Sequence, residues 1–221
     1  MTTHFIELME DLQRRCIRMA GLAQQAVGNA ATAVKTLDLT LAQAVHEGEK
    51  AIDAEEVEIE RQAINLLLLH HPAATDFRTV FGIVKINADL ERIGDCAVNV
   101  AQQVGRLAQL GVESSNVPWD VRAIAEATLK QVEDTVRCIA SRDSGLADRI
   151  RKADDLVDAL NSQIMQELQA GMQQDSTTVP ADLAMIMIAK NFERIGDHCV
   201  NIAEDVVFLM RGQIVRHAHE Q

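Results

Sequence analysis

Apolar side chains recur along the chain at alternating steps of three and four residues, the spacing that places them on one face of an α-helix. The first segment keeps this seam for more than four heptads, which is typical of a long helix in a bundle. We predict that the seam forms bundle core. Its members are Phe5, Met9, Leu12, Cys16, Met19, Ala23, Ala26, Ala30, Ala33 and Leu37.

Polar and helix-breaking residues divide the chain into six such segments. Asp38 or Thr40 can cap the second helix, and Pro72 ends it because proline disfavours helix in the residue before it. Gly111 ends the third helix. The spacing predicts helices over residues 5–37, 40–69, 75–110, 118–140, 145–170 and 180–211.

Composition supports an all-α fold. Aromatic residues are only 3% of the chain, and it holds 11 Gly and 3 Pro in 221 residues, too few turn and strand formers for a β-sandwich or barrel. Hydrophobic residues at 48% and charged residues at 24% match an ordered globular protein and exclude a disordered one.

The net charge and the cysteines limit the classes of ligand that the chain can bind. With 21 Lys and Arg against 33 Asp and Glu, the net charge is −12, which disfavours nucleic acid and anionic lipid and favours cations. No apolar run is long enough for a membrane span, and the first residues lack a signal peptide, so we expect a cytoplasmic protein without membrane insertion. The cysteines form no CxxC pair and are expected to be buried free thiols: Cys16, Cys96, Cys138 and Cys199.

One segment occurs twice. Leu90-Glu-Arg-Ile-Gly-Asp-Cys-Ala-Val-Asn-Val-Ala101 aligns without gaps with Phe192-Glu-Arg-Ile-Gly-Asp-His-Cys-Val-Asn-Ile-Ala203, 102 residues later. The chain is therefore expected to be a tandem duplication of a three-helix unit. We place the halves at 1–112 and 113–221, with the linker at 111–117.

Acidic pairs at i, i+4 accompany the repeat. Glu49-Lys-Ala-Ile-Asp53 aligns with Asp154-Asp-Leu-Val-Asp158 at an offset of 105 residues. Residues four apart share a helix face, so each pair presents two carboxylates to one neighbour. Counted from the hairpin turns near residues 73 and 176, the pairs of successive helices lie at one level. The candidate metal ligands are Glu49, Asp53, Glu91, Asp95, Asp154, Asp158, Glu193 and Asp197.

Two readings of these carboxylates stay open. Four of them at one level repel each other unless a positive charge lies among them, and a hard cation such as Mg²⁺, Mn²⁺, Ca²⁺ or Fe³⁺ prefers such oxygen ligands. Alternatively they form a solvated acidic stripe, or Arg92 and Arg194 supply the counter-charge. The mid-helix glycines Gly94 and Gly196 favour a closely approached site. Further candidates one turn away or adjacent are Asn99, Asn201 and His198.

The repeated segments resemble the two signature segments of the PhoU family, the bacterial phosphate-uptake regulators. The start of the third helix at Asp76-Phe-Arg78 and the closing Arg211-Gly-Gln213 are similar to family features too. The resemblance covers nearly the whole chain. Cys96 departs from the histidine that the family often has at this position, which puts in doubt only that position's part in the first site.

The resemblance implies two pseudo-symmetric three-helix bundles whose E(D)xxxD motifs bind multinuclear metal clusters. It implies iron, with manganese, magnesium and zinc as alternatives, at the eight carboxylates named above. It also implies negative control of phosphate import and of the phosphate regulon, through the transporter ATPase PstB and the sensor kinase PhoR. We expect a homodimer, because a helix face rich in Ala and Met can support one.

Three function classes follow. The first is a non-enzymatic, metal-binding regulator, because the sequence has neither a Gly-rich phosphate loop nor a nucleophile elbow. The second is a structural helical-bundle adaptor without metal. The third is a carboxylate-bridged metalloenzyme, which would need Glu-x-x-His, and no glutamate lies three residues before any of the seven histidines.

Overall fold

The computed structural model describes residues 3–212 and is built from long helices without a strand in that range. Residues 1–2 and 213–221 lie outside the described residues. They include Gln213 of the closing motif, the start of the first predicted half and the end of the second. A 3-10 turn, Ser114–Asn116, interrupts the linker. The helices are α1 Thr3–Thr36, α2 Leu39–His70, α3 Ala74–Gln109, α4 Trp119–Ser141, α5 Ser144–Gln174 and α6 Val179–Arg211.

Side-chain caps begin two of the helices, α2 and α5. The Asp38 carboxylate accepts hydrogen bonds from the backbone N–H groups of Thr40 (2.7 Å) and Leu41 (3.3 Å), so Asp38 is the cap of α2. Asp143 caps α5 by accepting from the Gly145 N–H at 2.8 Å. The chain leaves α3 through Gly111, whose φ of +73° glycine adopts without strain.

Three predicted boundaries shift. Helix α3 begins at Ala74, before the predicted Thr75 or Asp76, and its N-cap residue Ala73 makes no side-chain cap hydrogen bond. Pro118 precedes the first turn of α4. Helix α5 continues past Ala170 to Gln174, where the Asp175 carboxylate accepts from the Thr177 N–H at 2.9 Å and starts the turn.

The predicted seam of α1 is core. Nine of its ten members are buried, and Leu37 at the helix end packs partly buried against them. In α6 the side chain of Phe192 is fully buried in the second half. The all-α prediction with six long helices is confirmed, and the four cysteines are buried free thiols as expected. Within residues 3–212, no helix is both long and apolar enough to cross a bilayer.

The helices form two layers. Helix α1 packs on α2 and α3, α4 packs on α5 and α6, and the halves meet where α3 packs on α6 and α1 on α4. Helices α2, α3, α6 and α5 thus form one four-helix layer, with α1 and α4 behind it. This arrangement leaves one broad outer surface made by both halves.

Helices α3 and α6 run antiparallel, and polar contacts between them fix the register. Lys85 forms an ion pair with Asp205, whose side chain is only 2% exposed. Four residues further along α3, the Asp89 carboxylate contacts His198 Nδ1 at 2.8 Å and accepts from the Asn201 amide at 3.3 Å. This register places Gly94 level with Gly196 and brings the two repeated motifs to the centre of the layer.

Candidate carboxylate sites

In the second half, all four predicted carboxylates act on each other. Burial raises the pKa of Asp158 and Asp197, and the charge of Glu193 raises both pKa values further. Burial raises the pKa of Asp154 to about 6; the neighbouring charges add to this, and a hydrogen bond from Gln131 opposes it. Carboxylates of α5 and α6 therefore lie within electrostatic range of one another. We call Asp154, Asp158, Glu193 and Asp197 the second cluster.

Glycine at position 196 makes room for this cluster. A Cβ there would lie 2.7 Å from Asp154 Oδ1 and 3.1 Å from Gln131 Oε1, closer than real Cβ contacts allow. Gln131 of α4 orients the carboxylate by donating from Nε2 to Asp154 Oδ1 at 3.0 Å. The close approach of side chains from neighbouring helices, which the sequence indicated, therefore explains why a glycine occupies this mid-helix position.

Glu193 is the centre of the second cluster. Its side chain is 14% exposed, and its Oε1 accepts from Lys190 Nζ at 2.5 Å. Its other oxygen, Oε2, is buried and has no hydrogen-bond partner within the described residues. A buried carboxylate oxygen without a partner is costly, so a cation would find an available ligand here.

In the first half, the carboxylates gather with a different membership. Burial and the adjacent charge of Asp95 raise the pKa of Glu91 to about 7. Glu56 of α2 also has a raised pKa because of its burial and the charges of Glu60 and Asp53. We call Asp53, Glu56, Glu91 and Asp95 the first cluster.

The first cluster differs from the predicted set of carboxylates at two residues, Glu49 and Glu56. Glu49 is not among the leading charges that act on Glu56 or Glu91, and its neighbour Ile52 fills the space beside Gly94, 2.9 Å from a Cβ built there. Glu56 was not predicted, because the aligned residue of the second half is Asn161 and the repeat did not indicate it. Its spacing of three residues from Asp53 is the signal that could have found it.

Within the described residues, each cluster has one Lys or Arg that forms ion pairs with it. In the first, the Arg92 guanidinium contacts Asp95 Oδ2 at 3.1 Å and Glu91 Oε2 at 3.3 Å, so the alternative counter-charge named from the sequence is in place. In the second, that position belongs to Lys190 rather than to Arg194. A single cation among four carboxylates leaves a net negative charge at both clusters.

The remaining sequence candidates have other partners. His198 contacts Asp89 on the neighbouring helix, and the Asn201 amide binds the same Asp89, so neither side chain is turned to the second cluster. Asn99 lies partly buried on α3. His70 and His71 are residues at the end of α2. The centroid of the His70 ring lies 5.4 Å from that of the Phe5 ring, and His71 has a φ of 42°.

The donor atoms of the clusters are of the type that a hard cation prefers, but the side chains are not placed to bind one ion together. Every donor is a carboxylate oxygen, Glu193 supplies an available buried one, and burial together with neighbouring carboxylates raises the pKa values of Glu91 and Asp154. Among residues 3–212, however, no three His, Cys, Asp or Glu side chains stand close enough together to share one ion. Binding would therefore require side chains of a cluster to rotate toward a common point.

The raised pKa of Glu91 leads to a pH prediction. Because its folded-state pKa of about 7 lies above the ordinary value of 4.5, the folded protein binds more protons between these pH values, and stability rises as the pH falls through this window. Replacing Glu91→Gln should therefore stabilise metal-free protein at pH 8 by about 1 kcal/mol, with no gain near pH 5. Urea denaturation of both proteins at the two pH values measures this.

The matched control is Glu126→Gln, an exposed glutamate on α4 whose only described ion pair is with Lys35. It should change stability little and equally at both pH values. A Glu91→Gln variant that is less stable than the parent at pH 8 would mean that Arg92 neutralises the first cluster completely.

Comparison with known protein families gives a match to both halves of the chain. The PhoU domain matches residues 16–104 and again residues 121–206. The two matches each contain one copy of the repeated motif and one cluster.

Relatives of similar length share this organisation. The chain is 35% identical over 208 residues to a Rhizobium meliloti protein named phosphate-specific transport system accessory protein PhoU homolog, covering 94% of this chain and 87% of that protein. A homolog of the same name from Aquifex aeolicus is 35% identical, with 96% and 95% covered. The Escherichia coli accessory protein PhoU is 31% identical, with 95% and 86% covered.

Solved structures agree with the fold. The crystal structure of PhoU from Pseudomonas aeruginosa superposes with a TM-score of 0.88 at 33% identity, covering 95% of this chain and all of that one. A Streptococcus pneumoniae phosphate transport system regulatory protein has the same fold, with a TM-score of 0.85 at 23% identity and coverage of 96% and 99%.

Proposed function

The chain belongs to the PhoU domain family, and we propose that it is a negative regulator of phosphate uptake and of the phosphate regulon that acts through protein contacts. The observation that carries this proposal is the match over 94% and 96% of the chain to proteins named as accessories of the phosphate-specific transport system. The contacts we propose are with the ATPase of the phosphate ABC transporter and with the sensor kinase, at the cytoplasmic side of the membrane.

We further propose that the chain controls other proteins and catalyses no reaction itself. Its relatives carry the name of an accessory protein, and a PhoU-type structure from Streptococcus pneumoniae is described as regulatory. The carboxylates of the clusters are exposed or half-buried, so a partner can reach them. This supports a role in binding.

Metal binding is the second part of the proposal. Asp154, Asp158, Glu193 and Asp197 would hold a cation in the second half, and Asp53, Glu56, Glu91 and Asp95 would hold one in the first. The unpartnered Glu193 oxygen and the raised pKa values of Asp154 and Glu91 support it. A bound cation would neutralise the repulsion within each cluster and fix the distance between the paired helices.

Direct binding tests the contact proposal. The purified chain, immobilised at neutral pH, should bind the ATPase subunit of the phosphate transporter and the cytoplasmic part of the sensor kinase of the same bacterium with a Kd of about 10 μM or tighter. Biolayer interferometry measures both. The ATPase subunit of an unrelated ABC transporter of that bacterium serves as the control and should not bind. Equal binding of the control, or no binding of either partner, would contradict the proposal.

A further inference from the structure

Large apolar side chains line the outer surface of the hairpin formed by α2 and α3. They are far more exposed than core residues of the same type, and two of them stack, the rings of Phe77 and Phe81 lying 6.3 Å apart and nearly parallel. We call this surface the outer α2–α3 face. Its apolar members and their exposed fractions are Val57 (62%), Ile64 (55%), Leu68 (65%), Phe77 (49%) and Phe81 (46%).

The register of the hairpin brings these residues together. The Asn87 amide of α3 donates to the Glu56 carbonyl of α2 at 3.1 Å, and Gly94 abuts Ile52. Continuing this antiparallel register toward the hairpin turn places Phe81 level with Ile64 and Phe77 level with Leu68. On each helix the residues recur at steps of three and four, so they form one stripe.

The same stripe continues into the first cluster. On α2 it runs from Leu68 and Ile64 to Glu60 and Asp53, and on α3 from Phe81 to Glu91. The outer α2–α3 face is therefore apolar at the hairpin end and acidic toward the middle of the layer. A ligand lying along it would meet both kinds of surface in that order.

The second half shows that the fold does not require this apolar surface. The positions of α5 that align with Val57, Ile64 and Leu68 carry polar residues, while α6 keeps smaller aliphatic residues where α3 has phenylalanines. Contiguous exposed apolar surface in a folded chain marks an interaction site, and the α2 part of this surface has no apolar counterpart at the aligned positions of α5. The aligned residues are Ser162, Gln169, Gln173, Val179 and Leu183.

We propose that the outer α2–α3 face is a docking site for an amphipathic helix of a partner protein, with apolar residues on one face and Lys or Arg at one end. The apolar residues would cover Ile64 and Phe81, and the basic end would reach Glu56 and Glu91. The inference rests on the proposed action through protein contacts and names the chemistry of the contact.

Charge complementarity selects this occupant. When no metal ion is bound, the first cluster has four carboxylates and one arginine, so a basic helix end gains where an acidic or neutral one does not. A basic helix end and a metal ion are therefore alternative occupants of these carboxylates. A second copy of this chain, with its net charge of −12, would bring acidic surface toward acidic surface. Anionic lipid would be repelled for the same reason.

The test uses a fluorescein-labelled synthetic helix of about 18 residues, five turns, with a Leu face and Lys residues in its last two turns. A second peptide carries Glu at those lysine positions. Fluorescence anisotropy should show the basic peptide binding at least tenfold more tightly than the acidic one, and binding should weaken with added NaCl. Equal affinity for both peptides would overturn the proposal.

Matched variants locate the binding. Ile64→Ser with Leu68→Ser should weaken the basic peptide about tenfold, and so should Phe77→Ser with Phe81→Ser. Leu183→Ser with Met187→Ser, at 44% and 48% exposure on α6, is the control and should bind as the parent does. Melting curves confirm that each variant is folded. An equal loss in the control, or no loss in either pair, overturns the proposal.

Other occupants are separate outcomes. If Ile64→Ser with Leu68→Ser changes the sedimentation-equilibrium mass of the chain, the face binds a second copy; if it lowers binding to phosphatidylglycerol vesicles, the face binds membrane. Either result overturns the proposal. The peptide is neither the transporter ATPase nor the sensor kinase, so the two proposals can fail separately. If the peptide binds at this face but neither protein binds the chain, the proposed function alone is refuted. If the ATPase and the kinase bind the parent and the Ile64→Ser with Leu68→Ser variant equally, the docking site alone is refuted.

Discussion

Replacing Lys85 by alanine is expected to lower the free energy of unfolding by about 3 kcal/mol. The lysine crosses from α3 to α6 and forms an ion pair with Asp205, whose side chain is almost completely buried. The substitution removes the lysine charge that offsets part of the desolvation cost of that buried carboxylate. Urea denaturation at pH 7 measures the change.

Two further variants give this prediction its control. Lys35→Ala removes the exposed ion pair with Glu126 between α1 and α4 and should cost well under 1 kcal/mol. Lys85→Met combined with Asp205→Leu replaces the buried pair by apolar side chains and should recover most of the loss. A loss for Lys85→Ala no larger than for Lys35→Ala would show that the α3–α6 contact does not depend on this pair.

Metal is expected to stabilise the fold. At a free concentration a hundredfold above its Kd, an ion bound only by the folded chain contributes about 2.7 kcal/mol per site, a rise in Tm of about 5 to 10 °C for a chain of this size. The physical reason is the repulsion within each cluster, which the ion removes. Differential scanning calorimetry after chelation and again with added Mn²⁺ or Fe²⁺ measures the effect, and elemental analysis gives the metal content.

Neutralising one cluster separates the two sites. Asp154→Asn with Asp197→Asn should abolish the second-half share of the metal and of its stabilisation, while the metal-free variant should be at least as stable as the parent because repulsion is relieved. Asp148→Asn with Glu167→Gln, exposed acids of the same helix α5, is the charge-matched control. An unchanged Tm on chelation, or unchanged metal content in the cluster variant, would contradict metal binding there.

The fold could be predicted from the sequence because the spacing of apolar residues is regular. A seam at steps of three and four survives over the whole of α1, and burial of Leu12 and Met19 follows from that spacing alone. The end of α5 was not accessible in the same way. Residues 171–174 are compatible with helix or loop, and the turn at Asp175 is decided by a local hydrogen bond that propensity does not weigh.

The candidate sites were accessible where the two halves agree. The duplicated motif predicted the grouping of Glu193 and Asp197 with the α5 aspartates, because duplicated spacing implies duplicated geometry. Glu56 and Lys190 were missed because each occurs in one half only. The exposed apolar stripe with Ile64 and Phe81 was also missed, since periodicity shows which residues share a face but not whether another helix covers it.

The most direct test of the central claim is the response of a phosphate-starvation reporter in bacteria whose own phosphate-transport accessory protein has been deleted. At high external phosphate, expression of this chain should return the reporter to its repressed level, and the Ile64→Ser with Leu68→Ser variant should not. A stably folded, expressed chain that leaves the reporter fully induced would contradict its assignment as a negative regulator of phosphate uptake and of the phosphate regulon.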